Sequence, residues 1–407
     1  MSLLIPGTRL RPRDWLLVAC TGALLAIGLA FVYSASYRSG PMGEGYYTSS
    51  PAKQVQWIAI ALVACIALLR VNYRHLIEHA YVLYAVGLAA LVFVLFLGVT
   101  SEEISARRWL DLGPFRVQPS EFMKLLTILA LARYLMERES QRSLLGLAAP
   151  FALAGLPMLL IVRQPDLGMA LVFLPIVFAM LYAAGARVRH FLLVVALGIA
   201  AAWLAWPHLH AYQRERILGF ITQDDRRSRQ ELRRLDLYQL EQAKIAIGSG
   251  QLFGQGWMKG SQNRLNFIPA KTRNNDFIFA VICEEWGFVG ANAVLGLYLL
   301  LLVLCGRVAE EVHHPGGKLI VVGVVAMLGS QAIINTAMAA GQLPIAGLTL
   351  PLISYGGSSI VASLAGLALV LNVSAWRRVS LAAESLDPEA AARREMAPMP
   401  EETFMRA

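Results

Sequence analysis

Apolar residues in this chain gather into runs of about 20, separated by short polar segments. A run of that length crosses the hydrocarbon core of a bilayer as an α-helix. Ten runs are predicted to do so: 14–35, 53–70, 76–99, 120–137, 144–162, 167–184, 189–206, 276–305, 319–340 and 355–376. The pattern therefore predicts an all-α, polytopic membrane protein with about ten transmembrane helices in one domain, residues 1–380.

The composition agrees with this fold class. Hydrophobic residues make up 57% of the chain and charged residues 15%, with a mean hydropathy of +0.55. Soluble proteins carry roughly 25% charged residues, so the excess apolar surface must face lipid. The first apolar run is too long for a signal-peptide core and is interpreted as a spanning helix. The four cysteines lie inside apolar runs and show no metal or disulfide spacing.

Most basic residues in the short loops fall on one side of the predicted bundle. These are Arg9, Arg11, Arg13, Arg70, Arg74, Arg133, Arg138, Arg142, Arg187, Arg189, Arg307, Lys318, Arg377 and Arg378. The positive-inside rule makes that side cytoplasmic, and an even number of spans places both termini there. The last residues, 381–407, have the composition of a disordered cytoplasmic tail.

The longest polar segment, 207–275, is then a large extracytoplasmic loop. It holds twelve Lys and Arg residues against six Asp and Glu. Long loops are exempt from the positive-inside rule, so this charge does not conflict with the topology. A basic outer loop indicates an anionic partner such as a phosphate or pyrophosphate. For residues 224–236, whose charges alternate in sign, a solvated helical arm is the favoured interpretation.

Two outer segments on the N-terminal side carry candidate chemistry. Pro119 and Ser120 predict a helix start, and Glu121 and Lys124 then share one helical face. Such a pair at the membrane boundary is either functional or a structural ion pair, and the residues alone favour neither. Arg163 is predicted to lie just outside the bilayer, where the phosphate of a substrate would arrive.

Three further features of the outer side are unusually polar or rich in glycine, the first of them in the same segment as Arg163. Asp166 begins one of the apolar runs and is predicted to cap that helix. The glycines between 248 and 260 suit either a backbone cradle for an anion or a re-entrant turn. The prolines and glycines of 341–359 preclude a regular helix, which is tolerated at membrane depth only in buried or cavity-lining backbone.

Asp276 stands where the long polar loop meets an apolar run. Partial desolvation of a carboxylate at such a boundary raises its pKa and makes it a better proton acceptor. The alternative is a helix N-cap, in which the carboxylate accepts from the first backbone amides. On residue type alone, the N-cap interpretation is favoured.

In chain order, five motifs resemble those of the RodA/FtsW family of shape, elongation, division and sporulation proteins. They are RRWLDLGPFRVQPSEFMK, RQPDLG, IAIGSGQLFGQGWMKGSQNRLNFIP, DFIFAVICEEWGFVG and GLTLPLISYGGSS. The resemblance extends over nearly the whole chain up to Trp376, and five co-occurring motifs make it specific. RQPDLG and RWLDLG look more RodA-like, whereas GLTLPLISYGGSS also occurs in FtsW-type chains, so elongation is expected over division.

The resemblance implies a function. It implies a peptidoglycan glycosyltransferase that polymerises lipid II on the outer face of the bacterial cytoplasmic membrane. The expected partners are lipid II, the nascent glycan strand, membrane lipid and a class B penicillin-binding protein that crosslinks the strands; no nucleic acid is expected. A divalent cation (Mg²⁺ or Mn²⁺) could assist, although the sequence shows no dedicated ligand cluster for one.

The resemblance also assigns residues. The family's essential aspartate corresponds to Asp276, the acid and base of its QPSE-x-x-K motif to Glu121 and Lys124, and its preceding Arg-Trp pair to Arg108 and Trp109. Further substrate-binding candidates are Arg163, Lys259, Gln262 and Ser354. The family usually reads Leu-Pro-Glu-x-His-Thr-Asp-Phe, whereas here the segment 269–276 is two residues longer and lacks the Glu and the His. The departure leaves the assignment of Asp276 in place and changes its neighbours.

Two other classes of function compete with the enzyme. A flippase for lipid-linked cell-wall precursors needs a polar path and predicts ionisable residues near the middle of the membrane. A non-enzymatic scaffold of the elongation or division machinery leaves the polar motifs of the outer face without a chemical role. Concentration of these motifs at the outer boundary favours the enzyme.

Overall fold

The computed structural model describes residues 11–39, 45–47, 49–101, 104–111, 113, 115–138, 143–208, 214, 235–265, 267–268 and 270–386. Within them the chain is a helical bundle with two small antiparallel sheets. The helices are α1 Pro12–Ala35, α2 Ser50–Arg70, α3 Tyr73–Glu78, α4 Ala80–Leu97, α5 Pro119–Met136, α6 Leu144–Arg163, α7 Leu167–Ala183, α8 Val188–Ala205, α9 Leu235–Ser249, α10 Ser261–Arg264, α11 Ala270–Asn275, α12 Ile278–Glu311, α13 Pro315–Ala339 and α14 Gly357–Leu386. The strands are β1 Tyr37–Ser39, β2 Gly45–Tyr47, β3 Val99–Ser101, β4 Ile104–Asp111 and β5 Arg116–Val117.

Each predicted apolar run overlaps one or two helices of this bundle. Among the described residues, seven helices are long and apolar enough to cross a membrane: α1, α2, α4, Gly146–Arg163 of α6, α12, α13 and Gly357–Trp376 of α14. The helix α7 and residues Val188–Ala200 are apolar but shorter. The helix α5 is 18 residues long and carries three charged side chains. The polytopic helical class is confirmed, and the number of ten spans stays a prediction.

The centre of the bundle is formed by α14 and α13. The spanning part of α14 is entirely buried and packs along α2, while α13 contacts α12, α7 and α5. The helices α5 and α13 run antiparallel, because Ile128 lies against Gly323 and the side chains of Leu125 and Met327 both lie beside Gly366. The first turn of α5 is therefore level with the second half of α13.

Two predicted runs differ from the helices observed. The run 76–99 is divided into α3 and α4 by a turn at His79, and α3 begins after Asn72, whose Oδ1 accepts from the Arg74 amide at 3.0 Å. The run 276–305 becomes α12, which begins at Ile278 and continues to Glu311 with one non-helical residue, Gly287 (φ 66°, ψ −164°).

The strands are the elements that the all-α prediction did not include. They are two to eight residues long and lie between helices, with β4 paired antiparallel to both β3 and β5. They have no membrane-length apolar run, which is the signal on which the prediction rested. Their importance is local, because β4 carries Arg108 and Trp109.

Two predictions fall largely outside the described residues. They concern most of the charged arm 224–236 and most of the tail, residues 387–407. The described part of the tail belongs to α14, which continues to Leu386.

Candidate active site

Asp276 lies in the turn that joins α11 to α12. Its amide donates to the Thr272 carbonyl at 2.8 Å, and its side chain is half-buried. The N-cap position of α12 belongs to Phe277, so Asp276 precedes the N-cap by one residue. Its Oδ2 lies 4.0 Å from the point where a Cβ on Gly347 would stand, so the carboxylate lies beside the non-helical segment 341–356.

The backbone around Asp276 is fixed residue by residue. Three consecutive carbonyls accept hydrogen bonds from three different groups of the neighbouring elements. The Asn274 carbonyl accepts from the Tyr355 backbone amide at 2.9 Å, and the Asn275 carbonyl accepts from the Ser354 hydroxyl at 2.5 Å. The Asp276 carbonyl accepts from the Asn335 side-chain amide at 2.9 Å. A carboxylate on such a segment is pre-organised, because its backbone has little freedom to move away from one position.

Ser354 takes part in this fastening of the backbone. It is buried, its hydroxyl also accepts from the Leu350 amide at 2.8 Å, and its carbonyl accepts from the Gln54 side chain at 3.1 Å. These contacts suit the positioning of Asp276, and a direct contact between Ser354 and substrate stays a prediction. The sequence marked this residue as important without indicating that its partner is a backbone carbonyl.

The non-helical segment 341–356 is packed inside the protein. Leu352 is buried with φ of +66°, a conformation that non-glycine residues rarely adopt. The helix α1 packs directly on it, because a Cβ on Gly28 would stand 2.7 Å from the Ile353 Cα. The Tyr298 hydroxyl donates to the Pro351 carbonyl. The sequence allowed buried or cavity-lining backbone here, and these residues are buried in protein.

Glu121 and Lys124 form a buried ion pair in the first turn of α5. The Lys124 Nζ lies 2.6 Å from the Glu121 Oε2, and the two side chains are 1% and 4% exposed, respectively. The predicted helix start and the shared helical face are both confirmed. Two opposite charges in low dielectric hold each other strongly, and removal of either one leaves an uncompensated buried charge.

A polar strip on α13 extends from the level of this ion pair to Asp276. Gln331 and Asn335 lie four residues apart and are both buried. Because α5 and α13 run antiparallel, Gln331 lies at the level of Glu121. Asn335 lies one turn further along, about 5 Å, where it donates to the Asp276 carbonyl.

This strip retains unused hydrogen-bonding capacity. Among the described residues no partner is present for either amide atom of Gln331 or for the Asn335 Oδ1. Buried polar atoms are normally satisfied, so the strip is suited to ligand or water. Sequence reasoning missed both residues, although two amide side chains four apart in an apolar run were a visible signal.

Arg108 fixes the turn between α6 and α7. Its Nε donates to the Gln164 carbonyl at 2.9 Å, a second guanidinium nitrogen donates to the Pro165 carbonyl, and a third lies 3.6 Å from the Asp166 carboxylate. Asp166 caps α7 by accepting from the Met169 amide at 3.2 Å, as predicted. The neighbouring Trp109 is half-buried and pairs with Val99 of β3.

Two of the predicted cations are solvent-exposed. Arg163 ends α6 and Lys259 lies in the loop before α10. Gln262 is half-buried in α10, and its backbone amide donates to the Glu284 carboxylate at 2.7 Å. The structure does not bring these three residues into contact with Asp276 through any described hydrogen bond, and their substrate-binding roles stay predictions.

The glycine-rich loop 248–260 packs against α12. A Cβ on Gly250 would stand 1.9 Å from the Cys283 carbonyl, and one on Gly254 would stand 2.1 Å from the Glu285 carbonyl. The carboxylate of Glu285, fully buried, accepts from the Met258 amide at 3.0 Å and from the Ser34 hydroxyl. Of the two interpretations offered by the sequence, the described contacts favour the packed turn over an anion cradle.

Among the described residues, no group of three or more His, Cys, Asp or Glu side chains is close enough together to hold a metal ion. Around Asp276 the described contacts are amides, a hydroxyl and backbone groups. These are poor ligands for Mg²⁺ or Mn²⁺ without further carboxylates.

The chain is similar to known cell-wall proteins over almost its whole length. It matches the family model of FtsW, RodA and SpoVE, described as cell cycle protein, over residues 14–379. A probable peptidoglycan glycosyltransferase FtsW of Aromatoleum aromaticum is 36% identical, with 91% of this chain and 90% of that protein covered. The crystal structure of the rod shape determining protein RodA of Thermus thermophilus is 32% identical with a TM-score of 0.64, covering 91% of this chain and 98% of that one.

A second solved structure is a peptidoglycan synthase complex, described as coordinating polymerization and crosslinking. One of its chains is 34% identical to this protein, with a TM-score of 0.72, and the match covers 91% of this chain and 99% of that chain.

Proposed function

This chain belongs to the FtsW/RodA/SpoVE family, and we propose that it polymerises lipid II into peptidoglycan glycan strands on the outer face of the cytoplasmic membrane. The observation that carries the proposal is the half-buried carboxylate of Asp276, whose backbone is fixed by three hydrogen bonds from α13 and the segment 341–356. Such a group is suited to proton transfer, which requires a base in a defined position. The polar strip on α13 extends from it to the level of the buried Glu121–Lys124 pair.

The reaction is a single in-line displacement. Lipid II carries an α-linked sugar pyrophosphate on a polyprenyl anchor, and the product linkage is β, so the sugar carbon C1 is inverted. Asp276 takes the proton from the attacking 4-hydroxyl while the new C1–oxygen bond forms. The bond from C1 to the pyrophosphate oxygen breaks, and the lipid pyrophosphate leaves with the electron pair.

Positive charge stabilises the departing pyrophosphate. Arg163 and Lys259 are exposed and can meet the pyrophosphate before the sugar reaches the site. Lys124 lies deeper, beside Glu121, at the end of the polar strip. Arg108 acts on the same side by holding the turn 164–166 that follows Arg163.

A divalent cation is a minor part of this proposal. Because Glu121 is already paired with Lys124, the pyrophosphate itself would supply most ligands of any Mg²⁺ or Mn²⁺. Polymerisation measured after chelation with EDTA and again after addition of each metal ion checks this point.

The flippase alternative shares the requirement for buried polar groups. Here the buried charged pair is in the first turn of α5, at the same end of the bundle as Asp276, rather than midway along a span. That position favours chemistry at one face over transport across the membrane. The scaffold alternative assigns no role to a carboxylate fixed in this way.

One experiment separates the three functions. Purified protein in liposomes is supplied with fluorescent lipid II on the outer leaflet, and glycan strands are resolved by gel electrophoresis. Polymer is expected, together with release of polyprenyl pyrophosphate. Movement of the label to the inner leaflet without polymer would indicate a flippase. If neither polymer nor movement of the label were seen, the scaffold would be the remaining function.

We also propose a class B penicillin-binding protein as the membrane partner. The support is the similarity to a chain of a complex described as coordinating polymerization and crosslinking. The partner's spanning segment would bind laterally to the bundle. Co-purification from native membranes checks this proposal, and repeated absence of such a protein would contradict it.

The proposed location is the bacterial cytoplasmic membrane with both termini inside. The ends of α1 and α12 support this orientation, because Arg11 and Arg13 at the start of α1 both pair with Glu311 at the end of α12. The N-terminal arginines and the loop 312–314 are therefore on one side of the bundle.

A further inference from the structure

Arg273 is the largest fully buried side chain of the described chain. It lies on α11, three residues before Asp276, and is 0% exposed. It falls in the stretch where this sequence departs from the usual family pattern, being two residues longer and lacking the Glu and His. A buried arginine is rare unless its guanidinium is paired, so its contacts need an explanation.

The guanidinium binds the C-terminal end of α1. Its Nε and Nη2 donate to the carbonyl of Ala35, the last residue of α1, at 3.0 and 2.6 Å. The Nη2 also donates to the Tyr37 carbonyl at 3.0 Å. The last carbonyls of a helix have no intrahelical partner and carry partial negative charge, so a cation is favoured there.

The helix α1 also supports the other side of the site. Its Gly28 packs on the backbone of 352–353, within the segment whose Ser354 and Tyr355 bind the carbonyls before Asp276. The turn that carries Asp276 is therefore attached to α1 in two ways. Arg273 binds the end of α1 directly, and the segment 341–356 binds the turn on one side and packs against α1 on the other. Loss of the Arg273 hydrogen bonds would release one of the two attachments of the turn that carries the carboxylate.

We infer that Arg273 is a positioning residue for the reaction, which aims the Asp276 carboxylate by tying its turn to the end of α1. The inference rests on the proposed function, since it assigns Asp276 as the base. Arg273 does not touch substrate. It acts through the backbone of 274–276, in the stretch where this sequence departs from the usual family pattern.

The planar fork of arginine is essential to this role. Its nitrogens lie on a rigid frame, so two of them meet one carbonyl while one of these also reaches a second carbonyl. Lysine keeps the charge but places one nitrogen on a flexible stem. The Arg273→Lys variant should therefore fold like the parent, but its Asp276 carboxylate should no longer be held in one orientation.

The test compares Arg273→Lys with a matched control, Arg133→Lys. Arg133 also donates to the final carbonyls of a helix, Ile77 and Glu78 of α3, but near the opposite end of the bundle. Three quantities are measured for each variant and the parent: kcat and KM for lipid II, the melting temperature, and the hydrogen–deuterium exchange of the amides at 276, 277 and 355.

Arg273→Lys is expected to lower kcat by about 10- to 100-fold, the cost of a small misplacement of a catalytic group, while the KM for lipid II stays within about twofold. Amide exchange at 276, 277 and 355 should be faster. Arg133→Lys changes a helix-end contact of the same kind and should leave kcat and the exchange of these amides unchanged. Arg273→Met, which removes the charge, should lower kcat further.

Two results would overturn the inference. One is an Arg273→Lys protein with parental kcat and parental exchange at the three amides. The other is an equal loss of kcat in the Arg133 control, which would show a general effect of stability. If the parent itself made no polymer, the proposed function would fail, and the exchange data would still report whether Arg273 fixes the Asp276 turn.

Discussion

At the scale of single residues, Asp276 decides the proposed mechanism. The sequence left two roles open for it, general base and helix N-cap, and the structure gives the N-cap position to Phe277. We expect Asp276→Asn to lower the polymerisation rate by about 100- to 10,000-fold, the usual contribution of base catalysis, with lipid II binding retained. The rate is measured with purified protein and labelled lipid II, and binding is measured separately by fluorescence.

Asparagine is the informative substitution at this position. It caps a helix about as well as aspartate, so a capping role alone would leave Asp276→Asn almost unimpaired. Alanine would remove both roles at once. A variant that melts like the parent and polymerises at nearly the parental rate would refute the assignment of Asp276 as base.

The contribution of the Glu121–Lys124 pair to stability can be separated from its contribution to activity. Breaking a buried pair costs about 3–5 kcal/mol, whereas replacing both members by apolar residues is often nearly neutral. Lys124→Ala should therefore lower both the melting temperature and polymerisation, and Lys124→Arg should restore activity only in part, because its charge is spread over a planar fork.

The double variant Glu121→Leu with Lys124→Met is the control for this pair. It should regain the melting temperature of the parent and remain inactive. Parental polymerisation by the double variant would show that the ion pair is structural.

At the scale of elements, the packing of the glycine-rich loop on α12 is testable with two glycines. A Cβ on Gly254 would stand 2.1 Å from the Glu285 carbonyl, and its φ is +79°. Gly248 lies in α9 with nothing within 4 Å of the same position. Gly254→Ala should displace the loop and lower both stability and polymerisation, measured by melting and by the lipid II assay.

Gly248→Ala is the matched control and should stabilise its helix by about 0.5–1 kcal/mol, because alanine loses less backbone freedom on folding. Equal melting temperatures for the two alanine variants would contradict the close packing of this loop.

The helices were predictable from the sequence, and the contacts between them were not. Apolar runs of membrane length located the main helices, and the spacing of Glu121 and Lys124 predicted their pairing. The partners of Arg273 are different, because Ala35 is 238 residues away in the sequence and is a backbone carbonyl. A side chain bonded to a remote backbone group leaves no pattern that residue types could show.

At the scale of the whole molecule, the charges at one end of the bundle determine the proposed orientation. Arg11 and Arg13 meet Glu311, and Arg133 meets the end of α3, so basic residues at the ends of separate helices gather at one end. Short loops rich in Lys and Arg stay in the cytoplasm. Asp276 lies two residues before α12, at the opposite end from Glu311, so the proposed orientation would put the carboxylate on the outer face.

Reporter fusions test this orientation directly. Alkaline phosphatase, which is active only outside the cytoplasm, is joined after Arg229 in the large loop or after His313 between α12 and α13. The first fusion should be active and the second silent, and a green fluorescent protein reporter at the same points should give the reverse pattern. Arg229 lies outside the described residues, but its loop joins α8 to α9 on the chain segment that leads to Asp276. An active fusion at His313 with a silent one at Arg229 would place Asp276 in the cytoplasm, where a polymerase of the outer face could not work.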